Sequence, residues 1–142
     1  MISKNIKNTN KIAQKFLESL KFDKTMATVV GLYGDLGVGK TAFTQAIAKI
    51  LNVKKKVNSP TFVIIKRYQL KNDKYKNLFH LDAYRLKNEK ELLHLGWEEI
   101  ISNKEHLVFI EWPENIIKAM PKKHHKIYIS HTKEGHRKFE IK

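Results

Sequence analysis

The residues best suited to chemistry crowd into one stretch, GLYGDLGVGKTAF, from Gly31 to Phe43. Within it Gly34-x-x-x-x-Gly39-Lys40-Thr41 has the spacing of a phosphate-binding loop, and it lies between an apolar run and a helix-like run, the setting that the motif requires. Glycines at these positions let successive backbone N–H groups turn inward as a nest for anionic oxygens, which side chains would hinder. The positive end of a helix beginning at Thr41 stands behind that nest. Lys40 is then placed to reach the outer phosphates of a triphosphate, and the Thr41 hydroxyl to bind Mg²⁺.

A cation on a triphosphate calls for a carboxylate at a nearby strand end, usually through water, because Mg²⁺ keeps most of its hydration shell. LVFIE ends in Glu111 and NLFHLD ends in Asp82. The LVFI run is apolar at every position, as a central parallel strand should be, so Glu111 is the better metal-side residue. Asp82 is left to position an attacking water, to support the site from behind, or merely to close a strand. Ser59-Pro60-Thr61 follows the loop's helix, where a switch segment supplies a hydroxyl that senses the terminal phosphate. Pro60 would restrict Thr61 in that role, but it would serve a capped strand entry equally well. No Asn-Lys-x-Asp stretch of the guanine-specific kind is present, so ATP is expected over GTP.

These groups need a frame. Met26 to Leu32 is apolar and β-branched and predicts a strand buried on both faces. Thr41 to Leu51 predicts a helix. Thr9 to Leu20 predicts another, with Ile12, Phe16, Leu17 and Leu20 on one face and Thr9 as its cap. Phe62–Leu70 and Lys76–Asp82 read as paired strands about KNDK, Lys87–Ser102 as helical with a break near Gly96, and His106–Ile110 as a buried strand. His124–Ser130 and Arg137–Lys142 alternate about Gly135 as a C-terminal hairpin would. The fold class expected is α/β: a mixed central sheet flanked by helices, with residues 1–142 as one domain of the P-loop NTPase kind.

Composition narrows the partners. A chain of 142 residues buries roughly two-thirds of its unfolded surface and has no room for a large second domain. It lacks an apolar stretch near the ~20 residues that cross a bilayer, and MISKNIKNTNK has no apolar leader segment. A cytoplasmic protein without membrane partners is expected. There are no cysteines, hence no disulfide framework and no thiolate chemistry. The net charge of +14 would suit nucleic acid, yet only Arg67, Arg85 and Arg137 of the 28 basic residues are arginines. Specific phosphate and base recognition favours arginine forks, so the lysines read as solvated surface and DNA is not expected as a partner. His124 and His125 are adjacent and would point to opposite faces of a strand, which does not suit joint metal ligation. His80 could touch the active site or be a half-buried strand residue.

Taken in order, GDLGVGKT, SPTF, HLDAYR and IEWPE resemble the TsaE family, formerly YjeE, the bacterial P-loop ATPases of tRNA threonylcarbamoyladenosine synthesis. The resemblance runs from about Thr9 to Arg137. It implies an ATP and Mg²⁺ site, weak ATPase activity that matters in company, and two partners. These are TsaD, which transfers threonylcarbamoyl to adenosine 37 of ANN-decoding tRNAs, and its paralogue TsaB, with tRNA met indirectly. Carried residue by residue, it implies nucleotide contacts from Thr9, Asp35, Leu36, Gly37, Val38, Gly39, Lys40, Thr41, Ala42 and Arg137. Thr41 and Glu111 would hold the metal, and Lys40, Thr61, Asp82 and Glu111 would carry the catalysis. Trp112 matches an aromatic position of the family, and Ala13 stands where the family usually has glycine. The competing functions are a P-loop small-molecule kinase, for which no acceptor pocket or arginine-bearing lid is legible, and a module whose assembly ATP gates without required hydrolysis.

Overall fold

The computed structural model describes residues 1–35, 37–54 and 65–142. The expectations for Leu36, for Ser59-Pro60-Thr61 and for a strand start at 62–64 lie outside the described residues.

The apolar run around Val29 becomes strand β2 (Thr28–Tyr33), which lies between two parallel neighbours, β5 (His106–Glu111) and β6 (His125–His131). Strand β4 (Asn77–Asp82) extends the parallel set beside β5. Antiparallel strands close both sides: β3 (Ile65–Gln69) on β4, then β7 (Arg137–Ile141) on β6 and the short β1 (Ile2–Ser3) on β7. The order is β1-β7-β6-β2-β5-β4-β3, the mixed sheet that the sequence pattern predicts, with the C-terminal hairpin in place.

Parallel strands sit under helices on both faces, so their residues feed two cores in alternation. Val30, Leu32, Leu107 and Phe109 pack against α1 (Ile6–Ser19) and α2 (Lys40–Ile50) with Phe16, Phe43 and Ile47. Val29, Val108 and Ile110 face the other way. They meet Leu92 of α3 (Glu89–Leu93), Trp97 of α4 (Trp97–Ile101) and Ile116 of a 3₁₀ segment, Pro113–Ala119. Each of these large side chains, fully buried, contributes about 1.5–3 kcal/mol. Gly96, at φ +79°, breaks the helical stretch between α3 and α4 near the position expected.

One helix start differs from expectation. Helix α1 begins at Ile6, capped by Asn5, whose side chain accepts the Asn8 N–H, so Thr9 lies inside the helix and is not its cap. Asparagine is the stronger cap, and Thr9 is instead buried with its hydroxyl 2.6 Å from that of Ser3. No helix among the described residues is long and apolar enough to cross a membrane.

Candidate functional site

Strand register builds the site. Leu32 pairs with Glu111 and Asp82 pairs with Glu111, so β2, β5 and β4 end side by side at the edge where the chain leaves β2 for α2. Gly34 makes that exit possible. Its φ is +152°, and a Cβ there would lie 2.4 Å from the Ile129 carbonyl oxygen. At the loop's other end Gly39, at φ +108°, begins α2 with no side chain capping it, so the first-turn amides are presented to the cavity.

Lys40 is buried and its Nζ donates to the Gly34 carbonyl at 2.6 Å. The same ammonium lies 3.6 Å from the centre of the Trp112 ring. Burial pulls the Lys40 pKa below its ordinary value, and Glu111, Glu114, Asp82 and Asp35 pull it back. Trp112 adopts φ +60°, ψ +48°, a left-handed conformation that a bulky residue holds only when its surroundings impose it. Pro113, which disfavours a right-handed helical residue before it, and the Tyr84 ring at 5.1 Å are part of that setting.

The Thr41 hydroxyl donates to the Glu111 carboxylate, at 3.0 Å to Oε2 and 3.2 Å to Oε1. Glu111 is 5% exposed and also receives His80, whose Nε2 is 2.6 Å from Oε2. Asp82 is half-buried and its Oδ1 accepts the Tyr84 N–H at 3.0 Å. Thr41, Glu111, Asp82 and Tyr84 border a cavity of about 400 Å³, and Arg85 and Arg137 line it too. The Arg137 guanidinium lies against the loop: a Cβ on Gly39 would come within 2.8 Å of its Nη1.

Of the residues expected at the site, Gly37, Gly39, Lys40, Thr41, Ala42, Asp82, Glu111 and Arg137 line this one cavity. Val38 turns its side chain into the core, leaving only its backbone for a ligand, and Asp35 is exposed on the loop and accepts the Val38 N–H at 3.4 Å. Thr9 is spent on Ser3 away from the cavity lining. Leu36 and Thr61 lie outside the described residues. Sequence reasoning assigned no role to Tyr84 or Arg85 and left His80 open. The signal was present, because period two puts His80 on the Asp82 face of β4, and HLDAYR continues into Tyr84 and Arg85.

Burial raises the Asp82 pKa above its ordinary 3.8; the Tyr84 N–H works against the rise and the Glu111 charge adds to it. An acid whose pKa is raised on folding binds its proton more tightly in the native state, so stability is complete below about 3.8 and is lost as pH climbs through the raised value. Asp82→Asn, which keeps the acceptor for Tyr84, should therefore melt at a higher temperature than the parent at neutral pH, and the gain should shrink as pH is lowered toward 4. Thermal melts at several pH values check this, and a lower melting temperature at pH 7.5 would contradict it.

Comparison with known proteins is consistent with this geometry. The family model described as "Threonylcarbamoyl adenosine biosynthesis protein TsaE" matches residues 3–139. Proteins called "tRNA threonylcarbamoyladenosine biosynthesis protein TsaE" are similar in Bacillus subtilis and Rickettsia felis. The former is 38% identical over 109 residues, 77% of this chain and 65% of that protein. The latter is 37% identical over 117 residues, 82% of this chain and 63% of that one. The match thus spans slightly under two thirds of the length of these two. A Rickettsia prowazekii protein of the same name is 39% identical over 111 residues, 78% of this chain and 71% of that protein. The crystal structure of YdiB from Bacillus subtilis superposes with a TM-score of 0.71 at 27% identity, covering 99% of this chain and 82% of that one.

Proposed function

Because the chain belongs to the TsaE family, we propose that it is a single-domain, cytoplasmic P-loop ATPase that supports threonylcarbamoyladenosine modification of tRNA together with TsaB and TsaD. The observation that carries the reading is the Thr41 hydroxyl on the Glu111 carboxylate beside Lys40, at the end of adjacent parallel strands and within a chain of this family. Hydroxyl and carboxylate oxygens are the hard ligands that Mg²⁺ prefers, and a loop whose Gly39 leaves room for the Arg137 guanidinium beside the open first turn of α2 suits a polyphosphate. ATP and Mg²⁺ therefore fit the residues present. Thr41 and Glu111 would hold the metal, and the loop from Asp35 to Ala42, with Arg137, would hold the nucleotide. When bound, the metal would supply positive charge to the phosphate oxygens.

The chain's own groups do the rest. Lys40 exchanges the Gly34 carbonyl for a phosphate oxygen and neutralises charge as the transferred group departs. Asp82 orients the attacking water from the neighbouring strand end, and Thr61 senses the terminal phosphate. Trp112 and Tyr84 wall the cavity against bulk water. Arg85 and Arg137 bring further positive charge to its lining. The chain acts as a switch whose hydrolysis is completed in the complex, while TsaD performs the transfer to tRNA.

The test is ATP turnover by the chain alone and with purified TsaB and TsaD, with tRNA modification scored in parallel. Turnover should be slow alone and rise at least several-fold with the partners. Rapid turnover that the partners leave unchanged, or modification that proceeds without this chain, would end the reading.

A further inference from the structure

His80 is entirely buried on β4, on the face where Leu78 joins the α1–α2 core. A leucine or phenylalanine would fill such a place without leaving a polar atom dry. The histidine does leave one: among the described residues its Nδ1 has no hydrogen-bond partner. What the ring gains for that cost is on its other side, where Nε2 lies 2.6 Å from Glu111 Oε2. We propose that His80 is a positioning residue for Glu111, holding the carboxylate through an Nε2–H···Oε2 hydrogen bond so that it faces the Thr41 hydroxyl and the phosphate-binding loop. The inference rests on the reading of Glu111 as the cation-side carboxylate.

The hydrogen-bond pattern determines the tautomer. Glu111 Oε2 is an acceptor, so the ring proton belongs on Nε2, and Nδ1, which has no hydrogen-bond partner among the described residues, is the unprotonated nitrogen. Oε2 thus serves two donors, His80 and Thr41, while among the described residues Oε1 has only the longer Thr41 contact and is the oxygen with spare capacity. A carboxylate without the His80 anchor has more freedom to rotate, and it presents its oxygens to the loop for less of the time. Groups that orient a metal-side ligand in this way typically contribute 10- to 100-fold to metal affinity or rate.

The experiment compares the parent, His80→Leu and His80→Gln, each checked for folding by its thermal melt. The glutamine amide can place an N–H near the position of Nε2, whereas leucine cannot. Leucine should raise the Mg²⁺ concentration for half-maximal ATP turnover and lower kcat, together by about 10- to 100-fold, with KM for ATP nearly unchanged, and glutamine should recover most of the loss. A second measurement needs no turnover: the ¹⁵N NMR spectrum of the nucleotide-free parent should show the His80 ring protonated at Nε2, with that signal displaced in Glu111→Gln. Leucine and glutamine variants that fold and behave alike, or a ring protonated at Nδ1, would overturn the proposal. If the parent's turnover were indifferent to Mg²⁺ the functional reading of the site would fall, whereas the NMR result reports on the His80–Glu111 bond by itself.

Discussion

Lys40→Ala is expected to lower ATP turnover by at least about 100-fold, the cost typical of removing one preorganised group that meets developing charge. The ammonium is buried, with one hydrogen bond to Gly34 and an aromatic face against it, so it is already fixed where the proposed function needs phosphate charge to be met. Its loss removes a charge that water cannot replace in a walled cavity. The fold should tolerate the change. Burial already disfavours the charged lysine, and alanine is at home in the first turn of α2. Lys40→Arg should not restore activity, because a planar fork does not fit between the Gly34 carbonyl and the Trp112 ring as an ammonium does. Steady-state turnover and melting temperature together check this. Activity within threefold of the parent would remove Lys40 from the mechanism.

Gly34→Ala is expected to be the most damaging single methyl in the loop. The added Cβ would meet the Ile129 carbonyl oxygen at 2.4 Å, a backbone atom that can move only if β6 moves, and φ of +152° is itself closed to alanine. Clash and strain together should cost about 3 kcal/mol or more, which for a domain of this size lowers the melting temperature by roughly 10 °C. Gly37→Ala is the control, since nothing among the described residues lies within 4 Å of its Cβ and the left-handed backbone at φ +77° is what opposes it, at about 1–2 kcal/mol. Thermal melts of the two variants separate a steric cause from a merely conformational one, and equal losses would show that contact with β6 is not what demands glycine at position 34.

Much of this was legible in the chain. Gly34 to Thr41 is contiguous, so its chemistry and its strand-to-helix setting could be read together, and the buried runs at Val29 and Val108 announced parallel strands because both of their faces are apolar. Glu111 was preferred to Asp82 on the same ground, and the Thr41 hydroxyl now lies on it. The start of α1 was misread because Thr9 and Asn5 are both capping residues, and only the Ser3 contact shows where the Thr9 hydroxyl goes. His80 could not be assigned by pattern, since period two says which face it occupies but not what faces it.

Local order thus determined the loop, the strands that feed it and the identity of the groups proposed to meet phosphate, because hydrophobic period and glycine spacing act over a few residues. Strand order and register decided everything that depends on distant partners: His80 on Glu111, Trp112 over Lys40, and Arg137 against Gly39. Those contacts join segments far apart along the chain, and they exist only once the β4–β5–β2–β6–β7 succession has been packed into one sheet.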